Sequence, residues 1–149
     1  MMRDIVFQQQ TEPRNCTSAC IAMILDRPIG EITKEFHDGY MQGDISIHEY
    51  LEKHGVEIQL MNIRDDPQPG HIYLGAVPSL NIKGHSHQVI IDARKEENGF
   101  VMIDPNKGRD GKEWYVNYVE GSELAPGEFQ VITCNYDYRL TIPIDKADA

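Results

Sequence analysis

An α+β domain, with N-terminal helices packed on a mostly antiparallel sheet, is the fold class this sequence predicts. Two observations carry that reading. Apolar residues recur at helical spacing as far as about residue 54, and from there onward they alternate with polar ones. Helices first and strands afterwards is the ordering of a helical layer laid on one sheet. The third observation is size: 149 residues, 40% of them apolar, bury one core without help from disulfides or metal. No repeat, low-complexity tract or linker divides the chain, so a single domain spans residues 1–149.

Taken in order, residues 16–25 are apolar nearly all round, which predicts a buried helix. It follows the polar turn Glu12-Pro13-Arg14-Asn15 and stops before Pro28. A second helix is expected over residues 29–37, with Ile29, Ile32 and Phe36 on one face and an end near Gly39. Ser46-Ile47-His48-Glu49 has capping-box form and opens a third, which closes at His54-Gly55. Residues 56–63 alternate as a strand, closed by the turn residues 65–70. A second strand is read over 76–82, with Pro78 pushing it toward an edge or a bend. Residues 88–93 and 100–104 form two strands joined through the hairpin composition of 95–99. Further strands are expected over 113–119, 129–134 and 138–142.

Composition excludes several classes of function. The longest apolar run, residues 20–25, is far too short to cross a bilayer, and the N-terminus turns polar at once instead of forming a signal peptide. A cytoplasmic protein without a membrane partner is expected. Three cysteines fit a reducing compartment, and Cys20 and Cys134 read as buried thiols. A net charge of −10, with no Lys/Arg cluster along the chain, argues against a nucleic-acid partner.

The chemistry concentrates in a few positions. Cys16 stands where a polar loop delivers it to the first turn of a helix, whose partial positive charge and unpaired N–H groups favour a thiolate. Cys20, one turn deeper among apolar neighbours, is the structural cysteine. Gln10, six positions before Cys16, can supply an oxyanion donor together with the Cys16 backbone N–H. Among six histidines, His37, His48 and His54 fall on solvated helix faces and His71 follows a turn. His85 lies in a glycine-rich approach, whereas His87 opens the strand of Val89, Ile90 and Ile91. A base must be held rigidly, so His87 is preferred to His85. Asp104 ends the strand paired with that of His87 and is expected to accept its Nδ1–H.

The order Gln10-x5-Cys16-x2-Ala19-Cys20-x-Ala22-Met23, then His87-x-Val89-Ile90-Ile91, then Ile103-Asp104-Pro105-x-x-Gly108 resembles the bacteriocin-processing cysteine peptidases. That papain-like family cuts after double-glycine leader motifs and usually forms the N-terminal domain of an export transporter. The resemblance covers about residues 7–108. It implies a papain-like cysteine peptidase fold, Cys16 as nucleophile, His87 as base, Asp104 as orienting acid and Gln10 as oxyanion donor. It also implies a peptide or protein substrate and no metal or organic cofactor. Where the family usually carries Asp-Cys-Gly, this chain has Asn15-Cys16-Thr17, and no membrane span accompanies it. A thiol-dependent hydrolase acting on a peptide, isopeptide or related acyl bond is the expected function. Two alternatives remain open: a non-catalytic binding or inhibitory protein on the same fold, and a zinc site built from Cys16, Cys20, His85 and His87.

Overall fold

Ala19, Cys20, Ile21, Ala22, Met23 and Ile24 are shut away from solvent, which sets α1 (Cys16–Leu25) at the centre of the helical layer. Burial of each Ile or Met there contributes roughly 1.5–3 kcal/mol, more than the propensity of a ten-residue helix supplies by itself. The computed structural model describes residues 4–64, 67–94, 100–117, 123–130 and 134–141. The expected end of α1 is found at Leu25, where Asp26 turns left-handed (φ 55°) and returns its N–H to Ala22 O.

The second helical stretch runs further than its sequence suggested. α2 (Ile29–Ile32) passes through a π-helical turn, Thr33–His37, into α3 (Asp38–Met41) without stopping at Gly39. The reason is that Gly39 is used for close packing against Ile45, while the left-handed residue that ends the helix is Gly43 (φ 81°). Thr33 Oγ1 donates to Ile29 O at 2.7 Å at the start of the widened turn. Phe36 is buried between the rings of Tyr40 and Tyr50, with centroids 5.0 and 4.9 Å away. α4 (Ile47–Lys53) starts as its sequence signalled, with Glu49 N–H donating to Ser46 Oγ at 3.0 Å.

Five strands make the main sheet: β1 (Glu57–Ile63), β2 (Ile72–Pro78), β3 (Ser86–Asp92), β4 (Val101–Ile103) and, from the end of the chain, β7 (Asn135–Thr141). Their order is β1-β7-β2-β3-β4 and every pairing is antiparallel. Between β4 and β7, β5 (Trp114–Val116) and β6 (Glu128–Gln130) pair in parallel as a separate ribbon. The fold is thus α+β with a mostly antiparallel sheet.

One strand lies elsewhere than its composition indicated. β2 occupies residues 72–78, not 76–82, and is the central strand, not an edge. Pro78 is its last residue, so the missing N–H falls at the end of the ladder, where a central strand tolerates it. The whole of the expected 95–99 turn, and parts of the 65–70 turn and of the strands read over 113–119, 129–134 and 138–142, lie outside the described residues.

Both faces of the sheet are covered. Ile72, Leu74, Ile90 and Leu140 meet the apolar side of α1, while Tyr73, Val77, Val89, Ile91 and Tyr136 pack with Met102 and Tyr115 on the other face. No helix among the described residues is long and apolar enough to cross a membrane. At the sheet centre, Gly75 leaves no space for a side chain: a Cβ there would stand 2.6 Å from Ile91 Cδ1 and 2.7 Å from Cys134 Sγ. Gly75→Ala is therefore expected to lose about 1–3 kcal/mol of stability in urea unfolding. Combining it with Cys134→Ala should recover part of that loss, because one of the two clashes is removed.

Candidate active site

Cys16 is the first residue of α1, and its N–H is one of the donors left unpaired at any helix start. The loop before it is fastened from within. Asn15, fully buried, accepts the N–H groups of Thr11 (3.2 Å) and Glu12 (2.9 Å) and donates to Thr11 Oγ1 (2.9 Å). Its side chain makes no cap bond to the helix, so its work is to shape the turn that delivers Cys16. The three glutamines upstream divide the remaining anchoring. Gln8 holds Arg27 O and Ile29 N–H (both 2.8 Å), Gln9 donates to Lys107 O (2.9 Å), and the Gln10 backbone N–H donates to Pro105 O (2.8 Å).

The first turn of α1 is strapped to the start of β3 through one backbone unit. Cys20 Sγ donates to Gln88 O at 3.5 Å, and the Gln88 backbone also bonds the Cys16 sulfur. This sets Cys16 beside His87. The thiol hydrogen-bonds to the His87 ring, and His87 Nε2 meets Asp104 Oδ1 at 2.6 Å. Asp104 is placed by the β3–β4 ladder, in which Ile90 faces Ile103 and Ile91 faces Met102. One more step of that register sets Asp104 opposite Val89, two residues from His87 on the same face of the sheet.

The ring orientation differs from the expectation that Asp104 would take Nδ1–H. Nε2 points to the carboxylate, which leaves Nδ1 as the nitrogen for sulfur. The Gln88 backbone of β3 holds the sulfur, while Asp104 comes across from the neighbouring strand β4. Asp104 is itself held at both oxygens. Asn106 N–H donates to Oδ1 and Tyr115 N–H to Oδ2, each at 2.8 Å, and its exposure is 2%.

Electrostatics separate the three thiols. Burial raises the Cys16 pKa, but His87, through its hydrogen bond and charge, outweighs it with help from Gln88 and the Thr17 side chain, and the net direction is down. Burial pushes Cys20 well up, and the charges of Cys16 and Asp104 add to it. Burial also lifts Cys134 to about 12, with Asp137 contributing, although this residue is half-buried rather than enclosed as expected. For His87, burial opposes the charged ring, yet the hydrogen bonds and charges of Asp104 and Cys16 prevail and raise it to about 9. Both shifts run toward thiolate beside imidazolium.

A cleft of about 230 Å³ opens at Cys16, Thr17 and His87. Its walls are Tyr40 and Met41 from α3, the loop between β2 and β3, and the loop after β4. Asn81 ties the two loops together, exchanging hydrogen bonds with Glu113 N–H (2.9 Å) and O (2.8 Å). His85 lies exposed on the rim, while His87 is 7% exposed and bonded to Asp104. Gln10 is buried behind this cleft and does not line it: Nε2 donates to Glu12 O at 2.8 Å, and Oε1 has no partner among the described residues. Among the described residues no group of three or more His, Cys, Asp and Glu side chains is arranged to hold a metal ion. Asn15, Thr17, Gln88, Asn106 and Tyr115 were not legible as site residues, since most act through backbone groups that carry no sequence signal.

Comparison of the chain with protein-family models, curated proteins and solved structures found no match.

Because His87 binds its proton more tightly when folded (about 9) than unfolded (about 6.5), its stabilising contribution is complete below about pH 6.5 and disappears as pH rises through about 9. Thermal melting of wild type and His87→Gln should show a gap that is widest near pH 6 and narrows toward about pH 10. Asp104→Ala strands the Tyr115 and Asn106 N–H groups and the His87 ring, and should cost about 3 kcal/mol or more in urea unfolding.

Proposed function

We propose that this chain is a cysteine peptidase-like hydrolase, performing thiol-dependent acyl transfer on a peptide, isopeptide or related amide through Cys16, His87 and Asp104. The observation that carries the reading is the continuous chain of hydrogen bonds from the Cys16 thiol through His87 to a carboxylate fixed by two backbone N–H groups. A structural cysteine needs none of it. The papain-like fold, and the kinship with bacteriocin-processing peptidases that the sequence resembles, belong to the same proposal. Helices preceding an antiparallel sheet, with the cysteine at a helix start and the histidine at a strand start, support both.

In the reaction, the Cys16 thiolate attacks the carbonyl carbon, forming a C–S bond while the carbonyl π electrons move onto oxygen. The Cys16 N–H, at the start of α1, meets that oxyanion, whereas Gln10 stays behind the cleft with its Nε2 on Glu12 O and supplies no donor there. Collapse breaks the C–N bond, and the departing amine takes the proton held by His87. Water then gives a proton to His87 and adds to the thioester. The acid leaves, and the thiolate–imidazolium pair is restored. Asp104 keeps the ring oriented with Nε2 engaged and Nδ1 toward sulfur throughout. Thr17, where the resembled family has glycine, adds a hydrogen bond that favours the thiolate.

Alkylation by iodoacetamide, followed at each cysteine by peptide mass spectrometry across pH, tests the reading. Cys16 should react at least about tenfold faster than Cys20 and Cys134 near pH 6, and His87→Ala should remove most of that advantage. Reaction of Cys16 at the pace of an ordinary thiol, indifferent to His87, would leave the cleft as a binding site and discard the hydrolase. With an amide substrate in hand, Cys16→Ser should abolish turnover.

A further inference from the structure

The folded chain gathers cations at one place that its sequence keeps apart. Arg14 comes from the turn before α1, and Arg109 and Lys112 from the loop after β4, yet all three line the cleft at Cys16. None of the described residues lining that cleft is acidic, although 24 of the 149 residues in the chain are Asp or Glu. Arg109 and Lys112 are half-buried, and neither they nor Arg14 form an ion pair with a described carboxylate. Arg109 reaches only the neutral Asn106 Oδ1, at 3.3 Å. The arginines used structurally are treated otherwise: Arg27 is shared by Glu31 and Glu35, and Arg94 is held by Asp92.

Half-buried cations without counter-charges give up hydration for no return inside the molecule. Around a nucleophile they set a positive potential where a substrate must enter. We propose that the cleft selects peptide substrates carrying an acidic side chain, Asp or Glu, next to the scissile amide, with Arg14, Arg109 and Lys112 receiving the carboxylate. This rests on Cys16 being the nucleophile and names the substrate class for it. Polyanions such as nucleic acids do not fit: about 230 Å³ admits a side chain or two, and the body around the cleft carries a net charge of −10. The cations act at short range, where screening by salt is weakest, while the rest of the surface repels an extended anion.

The test reads charge selectivity at Cys16 separately from its reactivity. Iodoacetate and iodoacetamide transfer similar groups to sulfur with loss of iodide, but only the first is an anion. Their rate ratio at Cys16, divided by the ratio for neutral N-acetylcysteine amide, should be raised by about tenfold at low ionic strength, the lower end of what focused potentials achieve. It should fall toward unity near 1 M salt, where the Debye length is only about 3 Å. Replacing the three cations together (Arg14→Gln, Arg109→Gln, Lys112→Gln) should remove most of the excess. The salt titration on wild type decides the matter if that variant does not fold. A second comparison uses two short peptidyl acyloxymethyl ketones that differ only by Glu or Gln beside the electrophile, and the Glu probe should label Cys16 several-fold faster.

A ratio equal to that of the free thiol, or preference for the Gln probe, overturns the proposal. Failure of the hydrolase reading has a different signature, since both reagents would then be slow at Cys16 while their ratio still reported the charge of the cleft.

Discussion

The contact on which this architecture turns is the 2.6 Å hydrogen bond between His87 Nε2 and Asp104 Oδ1, closed off from solvent. A carboxylate buried to this degree is costly unless it is paired and hydrogen-bonded. Here the imidazole and the Asn106 N–H bond one oxygen and the Tyr115 N–H the other. That requirement fixes the end of β4, the turn after it and the first part of β5 relative to β3. It also holds one ring nitrogen of His87 and so determines which nitrogen faces Cys16. Packing and reactivity are therefore coupled through the same carboxylate.

The sulfur is brought to the ring by a different set of forces. α1 is buried along most of its length, so its position is dictated by apolar packing on β3 and its neighbours. Its N-terminal residue is consequently placed to within what the core allows, and the Gln88 backbone links both Cys16 and Cys20 to the strand. The preceding loop has little apolar content to hold it and relies instead on hydrogen bonds from Asn15 and the glutamine run. A rigid helix and a hydrogen-bonded loop thus meet at the thiol. A thiolate displaced from its imidazolium would lose the charge that keeps it ionised, so this support holds the Cys16 shift in place.

Charge is distributed on two scales. Over the whole surface the chain is strongly acidic, which favours solubility and repels polyanions. At the cleft the sign reverses, with Arg14, Arg109 and Lys112 around the thiol. Net charge alone pointed to a surface without a basic cluster, and along the chain there is none. The cluster arises because the turn before α1 and the loop after β4 come together around the Cys16–His87–Asp104 assembly.

What the sequence by itself determined are the features governed by neighbours in the chain. The length of α1, the capping box at Ser46 and the succession of helices and strands follow from periodicity and local hydrogen-bonding chemistry. So does the pairing that carries Asp104 toward His87, since residues close in sequence leave few alternative ladders. Where distant residues compete, local signals gave out. Gly39 reads as a helix stop but is used for packing, leaving Gly43 to end the helix. Pro78 reads as an edge marker but closes a central strand, because β7 returns from the chain's end to pair with β2. The ring nitrogen offered to sulfur, the distinct ionisation of three cysteines and the cationic cleft were decided only by tertiary structure. Each depends on distances between groups far apart in the chain, and on the low polarity of a core that forms only when the whole domain folds.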